Sequence, residues 1–304
     1  MPKILIADAI SDTAIELLKN SGVGYVYLPE ISASELFQTI DDFEAIIVRS
    51  RTRLSREVID KARKLKVIGR AGVGVDNIDI AASKEHGIKV VNTPDALTNA
   101  VAEFTIGLML SLARAIPKAD SLLKSGKWAK SSTHGTELKG KVYGTVGIGR
   151  IGARVAELSY AFGMKIMAND VIPIPEGLIR KLNIEVSTQE KIFSDADYVD
   201  LHVPLTEETR YLVNYEKLSR MKKGSFLINT ARGKIVNETD LLRALKEGKI
   251  AGAALDVFET EPPTLEELLK ESRLIITPHI AGQTVESQDE AGRLVVKEVL
   301  STLS

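Results

Sequence analysis

A histidine, an arginine and a glutamate stand where separate apolar runs end, late in the chain. The run Ile275-Ile276-Thr277-Pro278 is strand-like up to its proline, and His279 follows where the chain leaves the sheet. Arg232 closes Phe226-Leu227-Ile228-Asn229-Thr230-Ala231, and Glu261 precedes Pro262-Pro263. Imidazole titrates near neutrality and can both take and return a proton. A carboxylate on its second nitrogen fixes the tautomer and stabilises the imidazolium. A guanidinium is a permanent fork-shaped partner for a carboxylate. Together the three residue types suit proton and hydride chemistry on a small acid. Each also has a plain reading. A histidine after a strand is commonly a loop residue, Arg232 pairs equally well with a surface acid, and Glu261 shares its stretch with Glu259, Glu266 and Glu267.

Such groups need a rigid frame, and the chain supplies one. Short aliphatic runs alternate with amphipathic segments throughout, the pattern of parallel strands joined by crossover helices. Strands are predicted at 3–8, 23–28, 45–49, 66–70 and 89–92, with serine-capped helices at 11–19 and 55–64. A second series has strands at 143–147, 165–169, 184–186, 198–202, 225–229, 252–257 and 274–277, with helices at 150–162, 188–193, 214–221, 238–247 and 287–303. Between the two series, residues 99–113 form a helix that is apolar nearly all round, which must be buried inside a core or against another domain or subunit.

At 304 residues the chain exceeds one ordinary core, so two domains are expected. A net charge of -1 provides no global field for nucleic acid or an anionic membrane, and neither partner is expected. Without cysteine there is no disulfide, thiolate chemistry or cysteine-held metal, and no metal site is expected. The opening Met1-Pro2-Lys3-Ile4-Leu5-Ile6-Ala7-Asp8 is too short in apolar residues for a signal peptide, so the cytoplasm is the expected location.

Glycine-x-glycine occurs at Gly22-Gly24, Gly72-Gly74 and Gly147-Gly149, and only the last continues to a further glycine at Gly152. It follows the strand-like Tyr143-Gly144-Thr145-Val146 and precedes Ile151, Val155, Leu158 and Phe162 at helical spacing. Asp170 ends the next strand. In a dinucleotide fingerprint Gly147 allows the tight turn, Gly149 admits the pyrophosphate, and Gly152 lets helix and strand pack closely. The helix start offers unpaired N–H donors. Asp170 would accept the ribose hydroxyls and repel a 2′-phosphate, so NAD is expected over NADP. The plain alternative is an ordinary strand–turn–helix corner.

Over essentially its full length the chain resembles the D-isomer-specific 2-hydroxyacid dehydrogenase family. The passages that carry the likeness are Ile47-Val48-Arg49-Ser50-Arg51-Thr52, Gly69-Arg70-Ala71-Gly72-Val73-Gly74-Val75-Asp76-Asn77, Asn229-Thr230-Ala231-Arg232-Gly233, Leu255-Asp256-Val257-Phe258-Glu259 and Thr277-Pro278-His279-Ile280-Ala281-Gly282, with the glycine fingerprint. The resemblance implies an α/β fold of two doubly wound parallel-sheet lobes. One is a flavodoxin-like substrate lobe (1–95, completed by a helix at 285–304); the other is a Rossmann NAD-binding lobe (96–284), with the ligands in the cleft between them. It further implies a homodimer through the 99–113 helix.

By the same resemblance His279, Glu261 and Arg232 form the catalytic set, Arg232 binding the substrate carboxylate. Arg49, Ser50, Arg70 and Gly74 contact the substrate. The cofactor set is Gly147, Gly149, Arg150, Ile151, Gly152, Asp170, Pro204, Thr209, Thr230, Ala231, Asp256 and Gly282, with Asp256 facing the nicotinamide amide. His86, His134 and His202 are expected to be structural or adjacent to the cofactor. The likeness is greatest to the family's phosphoglycerate-acting members without their regulatory extension, and several arginines suit a phosphorylated substrate. Asn92-Thr93-Pro94-Asp95-Ala96-Leu97-Thr98 instead looks like the glyoxylate and hydroxypyruvate reductases. Two alternatives therefore stay open: reduction of an unphosphorylated keto acid, and a non-catalytic NAD-sensing role of the corepressor kind. No serine-responsive effector domain is expected after Ser304.

Overall fold

A computed structural model describes residues 3–303, so Met1, Pro2 and Ser304, at the ends of the expected ranges, lie outside the described residues. The chain divides into two compact units, Met1–Thr98 with Gly282–Ser304, and Asn99–Ala281.

The first unit is a five-stranded parallel sheet of β1 (Lys3–Ile6), β2 (Gly24–Tyr27), β3 (Ala45–Val48), β4 (Val67–Arg70) and β5 (Lys89–Asn92), in the order β2-β1-β3-β4-β5. That is the flavodoxin-like order. Alternation along the strands feeds two cores. Leu5, Ile46, Val48 and Ile68 pack with Leu36, Ile40, Ile59 and Ala82 on one side. Ile4, Ile6, Ile47 and Val67 pack with Ala14, Leu18, Val295, Val296 and Val299 on the other. The last three belong to the helix Val285–Leu303, which returns from the far end of the chain to lie on the sheet. Gly69 admits it, since a Cβ there would come within 2.6 Å of Val299 Cγ2 and 2.8 Å of Val295 Cγ2.

The second unit is a seven-stranded parallel sheet of β6 (Val142–Val146), β7 (Lys165–Asn169), β8 (Glu185–Val186), β9 (Tyr198–Leu201), β10 (Phe226–Asn229), β11 (Gly252–Leu255) and β12 (Leu274–Ile276). Its order, β12-β11-β10-β9-β6-β7-β8, places β6 at the reversal point between β9 and β7. Ligands of open parallel sheets bind beyond the strand ends at such a point. Strands β9 and β11 are buried at every residue, which is why β11 reads as an unbroken apolar run and why Asp200, the one charged residue of β9, must be paired inside the core.

The helix Thr98–Arg114 buries Ala102, Ile106, Leu108, Met109 and Ala113 in the second unit's own core, against Tyr143, Ile228 and Ala254. Two short helices beyond the expected ones, Glu176–Leu182 and Glu266–Lys270, lack a side-chain cap, and two more in the first unit are Ala33–Thr39 and Ile80–Glu85.

Candidate active site

His279 leaves β12 after Pro278 with a left-handed φ of 54°, a conformation rare for residues other than glycine and asparagine. The turn is held from below by Asp256, a fully buried carboxylate just past β11. It accepts from Thr277 Oγ1 at 2.6 Å, Ile280 N at 2.9 Å and Ala281 N at 2.8 Å. Both oxygens of Asp256 are thus engaged by the segment that carries His279.

His279 Nδ1 lies 2.9 Å from Glu261 Oε2, and Glu261 Oε1 accepts Phe258 N at 3.2 Å. Burial by itself would raise the Glu261 carboxyl; the His279 hydrogen bond and charge, the Phe258 amide and the Arg232 charge outweigh it and hold the group below the usual carboxylate value. The neighbouring acids go elsewhere. Glu259 bonds Tyr211 and the helix start at Glu238, Glu266 pairs with Lys270, and Glu267 pairs with Lys246. Geometry therefore separates Glu261 from the other acids of its stretch.

Arg232 stands on a turn built by buried Asn229, whose Oδ1 accepts Ala231 N at 3.0 Å and whose Nδ2 donates to Arg232 O at 2.9 Å. The next residue, Gly233, is pressed onto the Glu261 segment, where a Cβ would come within 1.9 Å of the Phe258 carbonyl carbon and oxygen. The turns of Arg232 and Glu261 are locked together there. Thr230, also buried, bonds Thr105 Oγ1 at 3.1 Å.

At the switch point Gly147 has φ 90°, and a Cβ on it would sit 2.5 Å from His202 O. Gly152 packs on the same turn, with a Cβ position 2.4 Å from Gly147 O. Gly149, by contrast, faces open space and puts no side-chain cap on the helix Arg150–Ala161. That uncapped start, with exposed Arg150 and half-buried Ile151, is a cradle a Cβ would fill, and it fits a dinucleotide's phosphates. Asp170 accepts Ile148 N at 2.7 Å and Ile172 N at 3.0 Å, which ties the end of β7 to the glycine turn. Thr209 donates to Pro204 O at 2.6 Å and so closes the loop after β9.

His202 lies beneath this cradle. Its Nε2 is 2.8 Å from Asp200 Oδ2, which also accepts Tyr143 OH at 2.8 Å. Burial first, then the Asp200 charge, pushes the Tyr143 hydroxyl well above its usual pKa. His86, by contrast, pairs with Asp60 on the surface.

Arg49, Ser50, Arg70 and Gly74 fall in the first unit, as does Gly282, which packs on Leu97. Buried Asp8 organises the 49–52 turn, accepting Arg49 N at 2.5 Å, Thr52 N at 3.2 Å and Thr52 Oγ1 at 2.7 Å. Asn77 Nδ2 binds the carbonyls of Arg49 and Thr52 at 2.8 and 2.6 Å. Burial lowers the Arg49 pKa despite the opposing Asp8 charge. Arg51 is consumed structurally by Asp8 and the carbonyls of Ala7, Pro29 and Ile31. The Arg70 guanidinium lies over Gly72, where a Cβ would come within 1.4 Å of Nη1. Asp8, Asn77, Asn229 and Asp200 escape sequence reading as organisers, although polar residues bordering or interrupting apolar strand runs are the available signal.

A family model described as D-isomer specific 2-hydroxyacid dehydrogenase, NAD binding domain, matches residues 106–281. The chain is 45% identical over 304 residues to a D-3-phosphoglycerate dehydrogenase of Methanocaldococcus jannaschii, covering 100% of this chain but only 58% of that relative. It is 40% identical over 304 residues to a hydroxypyruvate reductase of Thermotoga maritima, covering 99% of this chain and 98% of that one. A glyoxylate reductase structure from Paecilomyes thermophila superposes with a TM-score of 0.92 at 31% identity, covering 100% of this chain and 95% of the other.

Proposed function

The chain belongs to the D-isomer specific 2-hydroxyacid dehydrogenase family, and on that premise we propose that it interconverts a D-2-hydroxy acid and its 2-keto acid with NAD, 3-phosphoglycerate being the preferred hydroxy acid. The observation that carries the reading is the Glu261–His279 pair, set beside the Arg232 turn. With Nδ1 turned to Glu261, His279 has Nε2 to exchange a proton with substrate. In oxidation Nε2 takes the hydroxyl proton; in reduction it returns one to the carbonyl oxygen. Glu261 stabilises the imidazolium formed in between. Arg232 binds the substrate carboxylate and polarises the carbonyl. The glycine cradle and Asp170 hold the cofactor, with Pro204, Thr209, Thr230, Ala231, Asp256 and Gly282 completing the set. When bound, the nicotinamide takes or supplies the hydride.

Arg49 and Arg70, with Ser50 and Gly74, are assigned to the substrate, and two guanidiniums suit a phosphorylated acid. The archaeal relative's name supports the same substrate. Hydroxypyruvate or glyoxylate reduction is the second reading, favoured by the near-complete mutual coverage with the Thermotoga maritima reductase and by the Asn92–Thr98 segment. We also assign a homodimer through the Thr98–Arg114 helix region, where Phe104, Leu110 and Leu112 are half-buried and Ile116 is exposed. Turnover of 3-phosphohydroxypyruvate, hydroxypyruvate and glyoxylate with NADH and NADPH tests the proposal. The highest kcat/KM on 3-phosphohydroxypyruvate with NADH is the expected result. Turnover confined to the unphosphorylated acids transfers the assignment to the reductase reading, and no turnover on any acid removes the enzymatic one.

A further inference from the structure

We propose that Glu259 is a positioning residue for the Glu261–His279 pair, held in that role by Glu238 and Tyr211; the inference rests on the proton-transfer role assigned above. Glu259 and Glu238 clasp each other reciprocally. Glu259 Oε1 accepts Glu238 N at 2.8 Å, and Glu238 Oε1 accepts Glu259 N at 2.7 Å. Glu238 opens the helix Glu238–Lys246, so the donated N–H is one that the helix itself cannot pair. The second oxygen of Glu259 accepts Tyr211 OH at 2.8 Å. One side chain thus ties the helix start and the loop after β9 to the backbone two residues before Glu261.

Two further observations show how tightly that segment is fixed. Gly233 lies directly against Phe258, so the Arg232 turn closes the segment from another side. Tyr211 is left-handed at φ 50°, and its backbone is pinned by a 2.8 Å bond from its N–H to Lys234 O. An uncommon backbone conformation held by surrounding bonds is a mark of a placed residue. Phe258 N then donates to Glu261 Oε1, and the free oxygen of Glu261 meets His279. Displacing Glu259 therefore moves the carboxylate that orients the imidazole, while the glycine turn after β6 keeps its own support from Asp170 at the end of β7.

Glu259→Gln tests this, because the amide leaves one acceptor and turns a donor toward either Tyr211 OH or Glu238 N–H. We expect kcat for keto-acid reduction to fall about 10-fold while KM and the NADH dissociation constant, read by nucleotide fluorescence, stay within about 2-fold. In a Glu261→Gln background the same change should cost under about 2-fold, because residues acting through one another are not additive. Equal losses in both backgrounds, or NADH affinity and melting temperature falling in step with kcat, would overturn the proposal. Tyr211→Phe, which deletes one donor only, is the second variant should Glu259→Gln not fold; it should lose about 3-fold with the same non-additivity, and full additivity there overturns the proposal equally. Failure of the parent reading is distinguishable: in that case Glu261→Gln and His279→Ala themselves leave turnover intact.

Discussion

Glu261 Oε2 stands 2.9 Å from His279 Nδ1, which orients the imidazole so that Nε2 is the nitrogen available to substrate. The lowered Glu261 carboxyl is ionised at neutral pH and loses its charge only as pH falls through that depressed value. Glu261→Gln keeps an acceptor but removes the anion that stabilises the imidazolium. Keto-acid reduction, which needs the protonated ring, should then fail at lower pH than in the parent, and hydroxy-acid oxidation should persist further into acid. His279→Ala should lose roughly 10²–10⁴-fold in turnover with NADH binding little changed. Unmoved pH–rate profiles in Glu261→Gln would dissolve the coupling.

NAD(H) should bind at least about tenfold tighter than NADP(H), because the Asp170 carboxylate repels a 2′-phosphate. Its two oxygens already grip Ile148 N and Ile172 N, so Asp170→Ala should weaken NAD binding as well as narrow the gap. Titration of both nucleotides into parent and variant measures the two effects separately. Equal affinities in the parent would end the assignment.

Gly72→Ala should mimic loss of Arg70, since the added carbon falls within 1.4 Å of Nη1 and must displace the guanidinium. Both Gly72→Ala and Arg70→Ala should raise KM for 3-phosphohydroxypyruvate about 10-fold or more, the scale of a lost charged contact, and raise it less for glyoxylate. An equal rise for both acids would remove Arg70 from phosphate recognition.

Glu238 offers a test on stability. Burial first, then the Glu259 charge, raises its carboxyl above the usual value. A carboxyl raised in the folded state costs stability as pH climbs from the ordinary carboxylate range through the raised value, and costs nothing below that range. Glu238→Gln keeps the acceptor for Glu259 N and discards the charge. Its melting temperature at pH 7 should equal or exceed the parent's by up to about 3 °C, and the two should converge near pH 4. A marked drop at pH 7 would mean that the charge itself is needed.

Much of this architecture is legible in the residues. The strand Ala45–Val48 coincides with its apolar run, because a parallel strand covered on both faces is buried at every residue. Glu266–Lys270 is not legible, being five residues long with a single buried side chain, too short for a period. At the site, motif position singles out Glu261, but nothing in the sequence gives Glu259 a role; that comes from Tyr211 and Glu238, distant in sequence and bonded to it in space. Asp256 is similar. Its three donors lie 21 or more residues downstream, so only the folded chain reveals that it braces the His279 turn.

The helix Val285–Leu303 closes one face of the first unit, with Val295, Val296 and Val299 on Ile4, Ile6, Ile47 and Val67. The ribosome makes these partners far apart in time. Between the emergence of Thr98 and that of Gly282 the whole second unit is synthesised, on the order of 10–40 s at about 5–20 residues per second. Through that interval that face of the nascent sheet has Ala14 and Leu18 of the first helix on it but not Val295, Val296 and Val299, and the strip over Gly69 waits for Val295 and Val299. The second unit, continuous in the chain, can complete its core first. The vulnerable period for aggregation thus belongs to the unit made first, and it lasts until the helix Val285–Leu303 has been made.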